Sequence, residues 1–549
     1  MAKTKTSEKR KSKTTNKKGD KHYIRWFEDL SSDDVALVGG KNASLGEMVS
    51  TLKEHKIRVP EGFATTADAY RLFVEHNEID ERLKSLLEKF DSGDASLEKT
   101  GRAIRRAFSK GEFPDALSEQ IRDAYDELCK RSKQDELDVA VRSSATAEDL
   151  PDASFAGQQE TFLNIRGGDE VLDACRDCFA SLFTDRAIAY REENDFDHLK
   201  IALSVGVQKM VRSDKGGSGV MFTIDTETGF PNAVVINAAW GLGETVVQGT
   251  VTPDEYAVFK PLLDNAKVKP IIAKTIGAKE KKMVYAKKGA SKTTRTDDTS
   301  RKERNSFVLD DDEILQLARW AQRIEEHYER PMDIEWAKDG ETSDLYIVQA
   351  RPETVQSQKE AGTLKAYKLK EKGDRILSGL SVGEAIAAGK ACVIKDVDEI
   401  DRFEENAILV TGATDPDWVP IMKKASGIVT DYGGRTSHAA IVSRELGIAA
   451  VVGTENGTET LEDGQEITIS CAEGDEGHVY EGILKFDESE INLEDLPDTR
   501  TEIMMNIASP AAAFRWWRLP AKGIGLARME FIVNNAIKIH PMALAHFDD

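Results

Sequence analysis

The sequence predicts an α/β protein of several domains, and three observations carry that expectation. Its 549 residues exceed what one hydrophobic core organises, at roughly 150 residues per domain. Short Val/Ile-rich runs alternate with helical apolar patterns through most of the chain. Two stretches of different character, residues 356–375 and 486–497, read as interdomain linkers. They separate a basic tail (1–21) and a large α/β region (22–355) from a smaller α/β domain (376–485) and a last piece (498–549).

Composition narrows the class. Acidic residues outnumber basic ones by 97 to 75, for a net charge of −22. The tail holds nine basic and two acidic residues over positions 3–21, so the body is more negative still and a poor partner for nucleic acid. The tail itself reads as solvated and disordered. No run approaches the roughly 18 apolar residues that span a bilayer, and the first 21 residues lack the apolar core of a signal peptide. The expected location is the cytoplasm, without a membrane partner. Five cysteines are too few for a disulfide scaffold in a chain of this length. The Cys175–Cys178 pair falls with Leu172, Phe179 and Leu182 on one helical face, which favours core packing over metal or redox chemistry.

Within 22–355, strand-like runs are expected at 138–141, 219–224, 233–237, 333–337 and 345–350, and helices at 171–191 and 313–328. The Lys-rich stretch 274–302 reads as surface strands and loops. In the smaller domain, strands are expected at 391–395, 407–411, 427–430, 449–453 and 466–470. The last piece offers strand-like runs at 502–507 and 523–533 around a short helical pattern. Two such strands bury too little surface to stand alone, so a truncated larger domain is the expectation.

The most informative stretch is Asp431-Tyr-Gly-Gly-Arg-Thr-Ser-His438-Ala-Ala-Ile-Val-Ser-Arg-Glu-Leu-Gly447, read as strand, tight turn, helix, strand. Gly433 and Gly434 permit close backbone approach, Thr436 or Ser437 can cap the helix, and Gly447 can end it. His438 therefore opens a helix. The positive helix end disfavours its imidazolium, and free backbone N–H groups there can bind phosphoryl oxygens. Arg435 adds a fixed positive charge. A phosphorylated histidine and an inert helix-capping histidine both remain open on these grounds. Metal ligation is disfavoured, since no second His or Cys lies nearby at ligand spacing.

Three further segments suit phosphate binding. Val38-Gly-Gly-Lys41 sets a lysine after a flexible glycine pair, without P-loop spacing. Val139-Ala-Val-Arg142-Ser-Ser sets an arginine beside hydroxyls. The runs around Asp333-Ile-Glu335 and Gln349-Ala-Arg351 put Asp333 with Glu335, and Gln349 with Arg351, on single strand faces, joined as a hairpin through Asp339-Gly340. Such faces can hold magnesium and nucleotide phosphates, or simply face solvent.

The run from Thr414-Asp-Pro-Asp-Trp418 through Gly-Gly-Arg-Thr-Ser-His438-Ala-Ala-Ile-Val closely resembles the synthase branch (pyruvate, water dikinases) of the PEP-utilising enzymes. Its core motif is shared with pyruvate phosphate dikinase. The resemblance implies that His438 is the phosphorylated catalytic intermediate and that Thr436 is a regulatory site for a kinase and phosphatase. Residues 22–355 resemble the family's ATP-grasp domain, which implies ATP and Mg²⁺, with Lys41, Arg142, Glu335, Gln349 and Arg351 contacting the nucleotide. Glu335 and Gln349 match the pair nearest the metal, with Asp333 on the strand face of Glu335, and Gly241-Leu-Gly-Glu244 fits a nucleotide-facing loop. Residues 376–485 resemble the swivelling phosphohistidine domain, carried by the two linkers. Residues 498–549 resemble the first strands of a (β/α)₈ PEP/pyruvate-binding barrel, with Arg528 as a substrate contact.

The family's reaction is gluconeogenic: ATP, pyruvate and water give AMP, phosphoenolpyruvate and phosphate. The expected partners are therefore ATP and pyruvate, with homo-oligomeric assembly of the full-length protein. On this sequence alone, only transfer from ATP to the histidine is expected. The alternatives are pyruvate phosphate dikinase or another ATP-grasp/phosphohistidine phosphotransferase, and a non-catalytic nucleotide-binding remnant.

Overall fold

A computed structural model of the chain describes residues 22–146, 160–193, 196–287, 292–353, 363–474, 476–493 and 499–547. The basic tail lies outside the described residues. Two sheets build the large N-terminal region. The first has five strands in the order Ile24–Trp26, Gly62–Thr65, Leu203–Lys209, Val139–Ala145, Thr161–Ile165. It is covered by helices whose Phe73, Phe108 and Phe179 are fully buried in one aromatic core with Phe183 of the turn that follows. The second has six strands in the order Leu345–Pro352, Met332–Lys338, Gly217–Phe222, Ala233–Trp240, Asp254–Phe259, Ile271–Thr275. The helix Asp311–Tyr328 closes its back, opened by a reciprocal Asp310/Glu313 cap and burying Ile314, Leu317, Ala318, Ala321 and Ile324.

The hairpin expected around Asp339-Gly340 forms, with Glu335 opposite Gln349 and Asp333 opposite Arg351. The Asp339 carboxylate accepts from the backbone N–H of Glu341 and Thr342, which fixes the turn. Cys175 and Cys178 are fully buried in the helix Gly168–Ser181. The helix expected over 171–191 is broken: it stops at Ser181, and a second one, Asp185–Glu193, starts after Thr184 caps Ala187. The Lys-rich stretch forms a surface hairpin, Lys281–Tyr285 against Thr294–Asp298.

All five strands expected in the smaller domain are present, but they close into a barrel with two more. Its order is Arg375–Val382, Ala449–Val452, Gly427–Thr430, Ile408–Thr411, Ile386–Val393, Glu466–Ser470, Glu476–Glu481. The two extra strands escaped the sequence reading because Ser, Gly and charged residues interrupt their apolar pattern.

Both stretches read as structureless linkers contain strands. Thr363–Leu369 pairs with Phe486–Asn492 in an antiparallel ribbon, stitched by Lys365–Glu488 and Lys370–Asp487 ion pairs. Each strand is weak alone, and its complement lies more than a hundred residues away. In the last piece, Met504–Ile507 and Gly523–Ala527 pair in parallel around the helix Pro510–Arg515. The second strand ends at Ala527, short of the expected 533, because the chain turns into the helix Met529–Ile532.

Gly39 breaks the helix Val35–Thr51 with φ 75° and ψ 166°, and a Cβ there would lie 2.3 Å from Ser144 Oγ. Gly39→Ala is therefore expected to destabilise the chain by at least about 1–3 kcal/mol, the scale of a forced left-handed backbone before the clash is added. An unchanged denaturant midpoint would contradict this.

Candidate active site

The two sheets meet at Arg142, which projects from the strand Val139–Ala145. Its guanidinium donates to Glu335 Oε2 at 3.1 Å and to the Val348 carbonyl at 3.1 Å, with Gln349 Oε1 at 3.5 Å. Two residue pairs along the hairpin, on the same face, Arg351 grips the Asp333 carboxylate at 2.9 and 2.8 Å. Burial lifts the Asp333 carboxyl above its usual range, with Arg351 opposing. Lys41 follows the Gly39 kink, on a helix packed against the strand of Arg142; Asn42 N donates to Ser144 Oγ at 3.3 Å. The structure thus brings Lys41, Arg142, Glu335, Gln349 and Arg351 to neighbouring elements.

The histidine segment folds as its residues dictate. Ser437 caps the helix His438–Leu446 by accepting from Ala440 N, Gly433 takes φ 115°, and Gly447 ends the helix in the left-handed region. His438 Nδ1 lies 2.9 Å from the Thr414 hydroxyl. Burial, aided by the charge of Arg186, pushes the His438 ring down to about 4, so the imidazole is neutral at physiological pH. Arg186 itself reaches Asp417 at 3.6 Å, in the same turn as Thr414.

This segment is docked on the six-stranded sheet. Arg435 pairs with Glu255 at 3.1 Å. Arg444 Nε donates to Glu227 at 3.1 Å, and Gly383 N donates to the same carboxylate at 3.2 Å. Burial would raise Glu227, but Arg444 and Arg435 hold it below its ordinary value. Burial raises the Glu445 carboxyl on the histidine helix, and the charge of Arg351 opposes the rise, which ties that helix to the hairpin. Glycines make the approach close: a Cβ on Gly249 would lie 2.5 Å from Ser437 Cβ. Thr436 is 2% exposed, and its hydroxyl has no partner among the described residues.

Two expectations stand apart from this cluster. Arg528 is exposed beyond the strand Gly523–Ala527 and shares no hydrogen bond or ion pair with the described residues of the cleft. Gly241, with φ 87°, lies against Met283 of the surface hairpin, and burial raises Glu244. The sequence reading missed Arg186, Glu227 and Glu255 altogether. Each lies 180 to 231 residues from its ion-pair partner, and no local pattern distinguishes it from a surface charge. Thr414 had a signal, since it opens the motif that precedes the histidine loop.

The residues fit a nucleotide and its cation. No group of three or more His, Cys, Asp or Glu among the described residues forms a metal cluster. A cation at Glu335 would rest on one carboxylate, the Gln349 amide oxygen and phosphate oxygens, the sparse set that magnesium uses with nucleotides. No helix of the described residues is long and apolar enough to cross a membrane.

Comparison with known proteins agrees with this layout. Residues 35–371 match the family model "Pyruvate phosphate dikinase, AMP/ATP-binding domain", and residues 403–474 match "PEP-utilising enzyme, mobile domain". The chain is similar to phosphoenolpyruvate synthases of Aquifex aeolicus (53% identity over 96% of this chain and 63% of the relative), Escherichia coli (51%, 97% and 67%) and Pyrococcus furiosus (42%, 95% and 67%). It spans 63–67% of the length of these relatives. With a dikinase-type nucleotide domain over more than half its length and the mobile domain after it, the chain belongs to the PEP-utilising enzyme family.

Proposed function

We propose that this chain carries the ATP-to-histidine half of a phosphoenolpyruvate synthase reaction, with His438 as the nucleophile. The observation that carries the reading is the placement of His438: Thr414 lies against its Nδ1, Arg435 ties its loop to Glu255 of the sheet that bears Glu335, and Arg444 ties its helix to Glu227 in a loop of that sheet. For attack, the Nδ1–H donates to the Thr414 hydroxyl, which leaves the Nε2 lone pair for phosphorus. The Nε2–P bond forms as the bond to the AMP oxygen breaks. AMP leaves, water takes up the terminal phosphate, and the histidine keeps one phosphoryl group.

Lys41, Arg142 and Arg351 hold the phosphates, with Glu335 and Gln349 as oxygen ligands for Mg²⁺. That ion, when bound, neutralises charge on the polyphosphate. Freed from the cleft, the histidine domain swivels on the ribbon Thr363–Leu369/Phe486–Asn492. It hands its phosphoryl group to pyruvate enolate in a (β/α)₈ barrel that begins at residues 498–549, where Arg528 meets the substrate. Ile503, Met504, Ile524 and Leu526 are exposed there, as apolar side chains of the first strands of such a barrel would be until covered. Thr436, buried under the docked loop, is open to a regulatory kinase or phosphatase only after undocking. The enzyme acts in the cytoplasm as a homo-oligomer.

Three outcomes test the reading. With Mg²⁺ and β-labelled ATP, acid-labile label is expected on the parent chain and none on His438→Ala; equal label on both would sink the assignment. Glu335→Ala removes the carboxylate proposed for the cation and is expected to slow labelling by about 10²-fold or more, the scale of losing one preorganised charge contact, while His438→Ala leaves ATP binding intact.

The third concerns pH. The ring of His438 is pushed down to about 4 in the folded chain, against an ordinary value of 6.5. The unfolded chain takes up its proton first, so the stability contributed by this group is present above about pH 6.5 and lost as pH falls toward 4. In selectively labelled protein, the His438 resonance, assigned by its loss in His438→Ala, is expected to remain neutral at pH 5.5. A midpoint near 6.5 would contradict the burial argument.

A further inference from the structure

The register of the six-stranded sheet aligns one row of residues across five strands. Gln349 stands opposite Glu335, and Glu335 opposite Val220. The pairs Met221–Ile236 and Ser218–Ala239 bracket the next rung, which sets Val220 beside Asn237. Asn237 in turn stands opposite Glu255. Cross-strand neighbours share a face, so Asn237 lies on the face that Arg142 meets at one end of the row and Arg435 meets at the other.

Asn237 differs from the other polar members of this row. It is 1% exposed, yet neither Oδ1 nor Nδ2 has a hydrogen-bond partner among the described residues. The histidine loop passes directly over it: a Cβ on Gly434 would lie 4.0 Å from Asn237 Nδ2. Two residues further on, the buried Thr436 hydroxyl is likewise without a partner. A primary amide carries two donors and an acceptor, and burying all three unpaired costs stability that an alanine would not cost. A buried polar group left unpaired in this way calls for a physical account, and a bound ligand that pairs it is one.

We propose that Asn237 is a nucleotide-positioning residue: its side-chain amide donates to an oxygen of the terminal phosphates of ATP, between the Glu335/Gln349 pair and the loop of His438. The inference rests on the ATP-to-histidine reading given above. It adds a contact from the centre of the sheet that neither motif spacing nor the charged residues reveal. A neutral donor suits the place. It holds a phosphate oxygen without adding a charge to the ion pairs on either side, and its neutral oxygen draws the cation less strongly than a carboxylate would.

The test uses the full 549-residue chain, with Asn237→Ala and Asn237→Asp compared with the parent by calorimetric binding of Mg·ATP and of AMP, and by thermal midpoint without nucleotide. For Asn237→Ala, affinity for ATP is expected to fall about tenfold or more, as for loss of a hydrogen bond to a charged group. AMP affinity and the midpoint should hold, or the midpoint rise. Asn237→Asp should lose more ATP affinity, because its carboxylate meets phosphate. Unchanged ATP binding by Asn237→Ala, equal weakening of ATP and AMP, or a lowered midpoint with ATP binding intact would each overturn the proposal. A parent chain that binds no ATP would overturn the ATP-to-histidine reading with it, whereas a parent that binds ATP beside an unaffected alanine variant would overturn this inference alone.

Discussion

The architecture of the cleft depends on one cross-sheet contact, the Arg142 guanidinium on Glu335 and the hairpin backbone. Arg142 belongs to the five-stranded sheet and Glu335 to the six-stranded one, so their side chains fix how far apart the two sheets stand. With 18% and 27% of their side chains exposed, the pair is screened less than a surface pair, and removal of one partner would leave a poorly solvated charge. The rest is referenced to it. The Gly39 kink packs against the strand of Arg142 and carries Lys41 with it, while the hairpin register sets Gln349 and Arg351 from the position of Glu335. Two guanidinium groups are thereby gathered on one face of the hairpin, each neutralised by its own carboxylate, Arg142 by Glu335 and Arg351 by Asp333.

What the sequence revealed, and what it hid, follows the range of each interaction. The strand, turn and helix around His438 were legible because each depends on residues within a few positions: Gly433 for a positive φ, Ser437 for the cap, Gly447 for the end. The same holds for the hairpin, whose alternation places Glu335 and Gln349 on one face without knowledge of any third strand. Closure of the histidine domain into a barrel was hidden, since the strand Arg375–Val382 is held by Glu476–Glu481 and Ala449–Val452, not by its own pattern. The ribbon between the two supposed linkers was hidden for the same reason. Asn237 sat inside a strand expected at 233–237, but its place in the row from Gln349 to Glu255 becomes visible only once four strand registers are known together.

The chemistry of the interface decides what the histidine domain can do. Hydrophobic clusters of the N-terminal region draw on residues 27–350, and those of the barrel on residues 377–479; among the described residues none joins the two. The docked contact is made instead of ion pairs, Glu227–Arg444, Glu255–Arg435 and Asp417–Arg186, with glycines that let backbones approach. Apolar cores do not open without a large loss of buried area, whereas buried charged groups that separate regain the hydration they gave up, which offsets much of their attraction. Specific ion pairs also resist wrong registers, because a shifted domain would face like charges. A surface built in this way sets His438 in one place when docked and releases it at low cost. Those are the two properties that a carrier between separate sites requires.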